Sequence, residues 1–125
     1  DQSASSDAHR ELTQFVRKYP GSPQMAKAKV LLARINRRLA EPELYVAKFY
    51  WSRGKPMGTV LRLRRLLDKH AGVGFDGEAL YLLGKAYIEV DEPARARKAW
   101  ERLVKEHPTD GHADEVRDEL SKLRG

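Results

Sequence analysis

The stretch LYLLGKAYIEVDEPARARKAWERLVKEHP, at residues 80–108, determines the predicted fold. Its spacing is L-x-x-L-G-x-x-Y, then A-x-x-x-W, then a proline. Apolar residues at helical spacing predict two amphipathic helices joined by a short turn. Small residues where the helices approach, with aromatic residues beside them, predict a closely packed antiparallel pair. We therefore assign a packing role to Leu80, Leu83, Gly84, Tyr87, Ala96, Trp100 and Pro108, the last of which ends the second helix.

This spacing resembles the tetratricopeptide repeat, a helix pair that stacks on its neighbours. Residues 8–20 match only the second half of the pattern, so we expect the chain to begin within a repeat of a longer protein. The predicted fold is an all-α solenoid of antiparallel helix pairs, a single unit over residues 1–125. It comprises the second helix of a truncated repeat (6–20), a degenerate repeat with a long helix (22–70), a regular repeat (77–108) and a capping helix (110–124).

Prolines, glycines and capping residues predict six helices, near residues 6–19, 23–53, 56–70, 77–90, 93–107 and 110–124. Ser22 and Pro23 are interpreted as the N-cap and first residue of the second helix. Apolar positions keep one helical register across Pro42, which favours a single kinked helix. A new helix that starts at this proline is the alternative.

The remaining boundaries follow from the same signals. Gly54 predicts the end of the second helix, and Pro56 predicts the start of the third. Pro93 and Asp110 predict the starts of the fifth and sixth helices. The last helix places apolar residues on one stripe with acidic residues opposite, which is typical of a terminal cap.

Composition excludes several classes of site and segment. The chain has no cysteine, which excludes a disulfide, a thiolate zinc site, an iron–sulfur cluster and a cysteine nucleophile within these residues. No uncharged apolar stretch approaches the ~18 residues of a membrane helix, and the first residues do not resemble a signal peptide. Any targeting segment is therefore expected to lie outside these residues.

Charge is distributed unevenly along the chain. The net charge is +6, made up of 15 basic and 6 acidic residues up to residue 70, and 9 basic and 12 acidic residues from residue 71. A basic half suits nucleic acid, anionic lipid headgroups or an acidic protein partner, although solvated helical faces explain it more simply. The arginine clusters at residues 34–38 and 62–65 lack interleaved aromatic side chains for base stacking, so we expect no nucleic-acid partner.

No catalytic, metal or cofactor site is predicted. Residues 72–77 match G-x-G-x-x-G, but no strand precedes them, so we expect a glycine-rich loop between helices. No nucleophile or acid–base pair converges, which indicates that the chain is not an enzyme. Glu43, a carboxylate on an apolar helical stripe, is expected to pair with an arginine such as Arg53 or Arg62. The four histidines are His9, His70, His107 and His112. Only the last two are close in sequence, and the proline between them argues against a shared helical face that could bind a metal ion.

Residues 39–54, LAEPELYVAKFYWSRG, match every defined position of L-A-x-x-E-x-x-V-A-x-x-Y-x-x-R-G. This pattern resembles the signature of the BamD family, tetratricopeptide lipoproteins of the outer-membrane β-barrel assembly machinery. Residues 19–22, YPGS, are similar to the family's Y-P-x-S, and the resemblance spans nearly the whole chain as the family's C-terminal half. The sequence departs from the family pattern in two places. At Gly58 and Thr59 the family usually has two alanines, so small residues replace small residues. At residues 71–74 the family usually has a second Y-P-x-T/S motif, which this chain lacks.

The resemblance implies a non-catalytic scaffold at the periplasmic face of the outer membrane. The family's C-terminal repeats dock the last POTRA domain of BamA and the accessory lipoproteins, and a lipid anchor outside these residues would hold the protein at the membrane. The family's A-A-x-x-R motif contains an arginine linked to the BamA contact, and by position this arginine is Arg62. An arginine suits that role because its planar guanidinium group can bind a carboxylate through two parallel N–H donors. An exposed helical charge without a partner explains Arg62 equally well. The candidate partner-binding residues are Arg53, Arg62, Arg64 and Arg65.

The alternative function is a different tetratricopeptide adaptor, for a peptide or protein partner unrelated to outer-membrane assembly. A clamp for peptide C-termini is one example. Such clamps resemble one another in asparagines that face the groove, and Asn36 is the only asparagine in this chain. The sequence therefore disfavours that example.

Overall fold

The computed structural model describes residues 2–123, in which the secondary structure comprises six α-helices and no strand. The helices are α1 (Gln2–Lys18), α2 (Met25–Ser52), α3 (Pro56–Lys69), α4 (Asp76–Glu89), α5 (Pro93–Glu106) and α6 (Ala113–Lys122). Each helix packs against the next one along the chain. The predicted all-α, tetratricopeptide-like solenoid is confirmed. None of the helices in this range is both long and apolar enough to cross a membrane.

The central hairpin consists of α2 and α3. Helix α2 is continuous over 28 residues and contains Pro42 in its interior, which confirms one helix rather than two. Gly54 turns the chain with a φ of +70°, a conformation that glycine adopts at little cost, and α3 then begins with Pro56. Thr59 is fully buried in this hairpin, where its hydroxyl donates a 3.0 Å hydrogen bond to the carbonyl oxygen of Ala47.

The C-terminal hairpin consists of α4 and α5 and contains the regular repeat. Gly84 lies directly beneath Trp100, since a Cβ atom at residue 84 would overlap the indole ring. The indole N–H donates a 3.1 Å hydrogen bond to the carbonyl oxygen of Tyr81, which holds the ring in this position. Pro108 follows the end of α5 at Glu106. The other predicted packing residues are all buried in this hairpin: Leu80, Leu83, Tyr87, Ala96 and Trp100.

Three predicted helix starts are wrong. Helix α2 begins at Met25 rather than Pro23, because the Ser22 hydroxyl accepts the Gln24 N–H at 3.1 Å within a turn that precedes the helix. In the same way, Asp110 accepts the His112 N–H at 2.8 Å, and α6 begins only at Ala113. Both side chains bond the backbone two residues on, which forms a local turn instead of a helix cap. Helix α1 starts earlier than predicted, because its polar first turn carries no apolar periodicity.

The core lies mainly in α3 to α6. Leu63 and Leu66 of α3, Leu103 of α5 and Val116 of α6 are fully buried. Helix α6 buries Ala113 and Val116, and its Leu120 and Leu123 are partly buried against the same core.

Candidate functional site

A cluster of one carboxylate and two arginines lies within the central hairpin. Glu43 of α2 faces Arg62 and Arg65 of α3, with oxygen-to-nitrogen distances of 3.6 Å and 3.7 Å. These distances allow attraction between charges but are too long for hydrogen bonds. The second oxygen of Glu43, Oε2, is buried and has no hydrogen-bond partner within the described residues. The guanidinium N–H groups that face Glu43 therefore remain available as donors.

The predicted pairing of Glu43 with an arginine is confirmed, and of the two arginines named from the sequence it is Arg62, not Arg53, that lies beside it. The guanidinium of Arg53 lies over the ring of Phe49, 5.0 Å from its centroid. Arg53 belongs to the turn after α2, and the helix carries it on the same side as Phe49, four residues earlier. Arg65, which the sequence suggested only as a partner-binding residue, is the second arginine beside Glu43.

A histidine cluster adjoins Glu43 where α1, α2 and α3 meet. The rings of His9 and His70 lie with their centroids 6.4 Å apart, and Nδ1 of His70 lies 3.2 Å from Oδ1 of Asn36. Burial lowers the pKa of His70, the charges of His9 and Lys69 also lower it, and Glu43 opposes them. The sequence did not indicate this pair, because the two histidines are far apart along the chain. The described residues contain no group of three or more side chains suited to hold a metal ion.

A second surface is an open groove of about 1090 Å³ between α3 and α5. Leu80, Leu83 and Tyr87 of α4 form its floor. Arg64 and Arg65 lie on its α3 wall, whereas Arg62 and Arg53 do not line it. The four candidate partner-binding arginines are therefore divided among three places: the groove, the Glu43 cluster and the ring of Phe49.

Apolar side chains are also exposed on the central hairpin. Tyr45 and Phe49 of α2 are 73% and 46% exposed, and each is one helical turn from the other. Met57 and Leu61 of α3 repeat this arrangement at 51% and 59% exposure. Exposed apolar side chains at this spacing are typical of surfaces that bind a protein partner. The sequence analysis did not single out these four side chains.

Gly72 and Gly74 of the glycine-rich segment lie in a loop between α3 and α4, as predicted, whereas Gly77 lies in the first turn of α4. Both carboxylate oxygens of Asp76 accept the N–H of Gly72, at 3.0 Å and 3.1 Å. Arg37 of α2 donates a 2.7 Å hydrogen bond to the carbonyl oxygen of Val73 and lies over the ring of Phe75. A carboxylate at this position would repel a phosphate, so the loop serves to join helices.

Comparison with known proteins places these features in a family. Residues 1–103 match the family YfiO, described as an outer membrane lipoprotein. The outer membrane protein assembly factor BamD of Caulobacter vibrioides is 24% identical over 98 residues, which are 78% of this chain and 32% of that protein. BamD of Neisseria gonorrhoeae and BamD of Neisseria meningitidis serogroup B are each 25% identical over 96 residues, 77% of this chain and 36% of theirs.

The chain thus spans about a third of the length of the curated relatives it matches. The family match, by contrast, covers 103 of the 125 residues of the chain. It includes the whole signature at residues 39–54 and the helices that carry Glu43 and Arg62. The chain therefore belongs to the YfiO family of BamD-like outer membrane lipoproteins, which act at the periplasmic face of the outer membrane.

Proposed function

We propose that this chain is a non-catalytic docking scaffold in outer-membrane protein assembly, and that it binds the last POTRA domain of BamA and accessory lipoproteins. The observation that carries this proposal is the environment of Arg62. Its side chain is 34% exposed, and Glu43 attracts it from within the hairpin without forming a hydrogen bond. The arginine is thereby oriented while its donors stay free.

An arginine held in this way is suited to a carboxylate on a partner protein. The guanidinium group presents parallel N–H donors that match a carboxylate in a bidentate arrangement. Because Glu43 already restricts Arg62, binding would order fewer side-chain rotamers than at an unrestrained surface arginine. Arg65 shares the same carboxylate, so the cluster keeps one excess positive charge toward the partner.

Two further features support a scaffold. The relatives that match this chain are named as assembly factors, which agrees with a role in binding rather than catalysis. The exposed Tyr45 and Phe49 provide apolar area on the central hairpin, and aromatic residues are enriched at protein interfaces. A charged anchor and exposed aromatic side chains on one hairpin are a common composition for an interface.

The test is a calorimetric titration of the chain with the last POTRA domain of the cognate BamA. We expect Arg62→Glu to weaken binding by about tenfold or more, because the reversed charge repels the partner carboxylate and Glu43. The matched control is Arg34→Glu, which makes the same charge change at an exposed position on α2. Circular dichroism would verify that both variants are folded.

The control variant should bind like the wild type. Failure of the wild type to associate with the POTRA domain at high concentration would overturn the proposal. An equal loss of affinity in Arg34→Glu would also overturn it, because the effect would then reflect net charge alone.

A further inference from the structure

The groove between α3 and α5 combines an apolar floor with basic walls. Its floor consists of Leu80, Leu83 and Tyr87, which are almost completely buried beneath it. Leu61 of α3 and Ala94 of α5 extend the apolar surface up the walls. Six basic side chains and one carboxylate, that of Asp68, line the walls, so positive charge predominates. The basic residues are Arg64, Arg65 and Lys69 on α3 and Arg95, Lys98 and Arg102 on α5.

The positive charge of these walls is only partly neutralised. Within residues 2–123, no carboxylate forms an ion pair with Arg64, Lys69 or Lys98. Arg95 and Arg102 pair with glutamates on their own helix, at 3.8 Å and 3.0 Å, and these pairs are exposed. Exposed pairs on a helix are weak and exchange readily with other partners. The walls therefore favour an occupant that carries negative charge.

We propose that this groove binds an acidic amphipathic helix of a protein partner. The apolar face of that helix would cover the exposed Leu61 and Ala94 above the leucine floor, and its carboxylates would face the basic side chains of the two walls. The walls are helices of 14 residues each, which corresponds to an occupant of about four turns. The basic residues 95, 98 and 102 recur at helical spacing along α5, so they match carboxylates at the same spacing on the occupant.

Other occupants fit the geometry less well. A flat bilayer surface would contact the basic rims but could not reach a recessed floor, which would leave the apolar surface uncovered. A single-stranded nucleic acid would gain affinity from aromatic rings for stacking, but the aromatic residue of the floor, Tyr87, is 7% exposed. A duplex, like a bilayer, would contact the basic rims through its phosphates without covering the apolar side chains. The volume of about 1090 Å³ is at the upper limit for small-molecule pockets, and the groove is open along its length.

This inference goes beyond the proposed contact at Arg62. Arg62 does not line the groove, and the two surfaces share Arg65 as a common neighbour. Groove variants that leave both of these arginines unchanged, compared with Arg62→Glu, therefore separate the two proposals.

The test uses a synthetic, end-blocked peptide of about 14 residues with leucine at positions i, i+3, i+4 and i+7 and glutamate on both flanks. A fluorescent label allows its binding to the full chain to be followed by anisotropy at two salt concentrations. One comparison peptide carries lysine in place of every glutamate. The other has the same composition as the acidic peptide in a scrambled order. We expect the acidic amphipathic peptide to bind at least about tenfold more tightly than either comparison peptide.

The variants assign this binding to the groove. The double substitution Arg64→Glu and Lys98→Glu reverses one charge on each wall at exposed positions, and we expect an affinity loss of about tenfold or more. The matched control, Lys29→Glu with Arg34→Glu, makes the same change of net charge on α2 and should bind like the wild type. Arg62→Glu should leave the affinity for the peptide within about twofold.

Three results would overturn the proposal. The first is equal affinity for the scrambled peptide, which would show that the apolar face has no role. The second is unchanged affinity in the double variant with one reversal on each wall. The third is tighter binding to phosphatidylglycerol vesicles or duplex DNA than to the peptide, which would make the walls a general polyanion surface.

Discussion

The C-terminal and central hairpins have the same topology but bury very different shares of their residues. Helix α4 of the C-terminal hairpin buries nine of its 14 residues, whereas α2 of the central hairpin buries four of 28. Large apolar side chains such as Tyr45 and Phe49 are left outside on α2. The comparison teaches that one hairpin topology can be packed closely, as in the C-terminal hairpin, or can leave large apolar side chains at the surface, as in the central hairpin.

A second difference concerns the glycine in each hairpin. Gly84 lies beneath Trp100, which is 2% exposed and hydrogen-bonded to the backbone. Gly58 lies beneath Tyr50, with its prospective Cβ 2.8 Å from the ring, but that ring is only half-buried. We expect the C-terminal hairpin to tolerate an added methyl group much less than the central one.

The largest expected effect is that of Gly84→Ala. Alanine normally stabilises a helix relative to glycine by about 0.5–1 kcal/mol. Here the new methyl group would overlap an indole that is buried and hydrogen-bonded to the backbone of Tyr81, so we expect the free energy of unfolding to fall by about 3 kcal/mol. Urea denaturation followed by circular dichroism measures this change. Gly111→Ala is the control, because its Cβ would meet no atom within 4 Å; equal stability of the two variants would contradict the close approach.

Gly58→Ala should have a smaller effect. The ring of Tyr50 is partly exposed and has room to shift, so we expect a loss of about 1 kcal/mol in the free energy of unfolding. The sequence comparison treated glycine and alanine as equivalent at this position, and the position of the ring explains why they differ. Adding Tyr50→Leu should remove the penalty for alanine, and a double-mutant cycle would show this coupling. Strictly additive effects would be inconsistent with the contact.

Glu43→Gln is expected to lower the free energy of unfolding by less than about 1 kcal/mol. Glutamine keeps the shape of the side chain but leaves Arg62 and Arg65 without their shared negative charge. The loss is limited, because the carboxylate is 18% exposed and one of its oxygens is buried without a hydrogen bond. The stability difference should shrink as salt is added. Glu89→Gln, at an exposed position on α4, serves as the control and should be neutral; a loss as large as that of Glu43→Gln would remove the case for the cluster.

The smallest expected effect is a pH dependence from His70. Its folded-state pKa lies below the ordinary value of 6.5, so the unfolded chain binds more protons between the two values. The free energy of unfolding should therefore decrease as the pH falls through this window. His9 and Lys69 add to this effect and Glu43 opposes it. Thermal denaturation between about pH 7 and pH 5 should show a shallower decline for His70→Gln, and an unchanged decline would assign the effect to other groups.

Much of the helical framework was predictable. The predicted bounds of α3, α4 and α5 agree with the structure within one residue at each end, because proline and glycine act on the local backbone. The starts of α2 and α6 were misplaced, because Ser22 and Asp110 serve equally well in a turn and in a helix cap. Of the candidate site, the pairing of Glu43 with Arg62 was anticipated and the place of Arg65 was not.

The sequence by itself determined that the chain forms stacked helical hairpins and which side chains fill them. Apolar periodicity and punctuation are local properties, so each hairpin is specified by residues close to one another in the chain. Only the tertiary structure decided that α3 and α5 flank a basic groove, that His9 meets His70, and that Tyr45 faces outward. These features depend on how one hairpin packs on the next, because side chains far apart in sequence meet only after the helices have stacked.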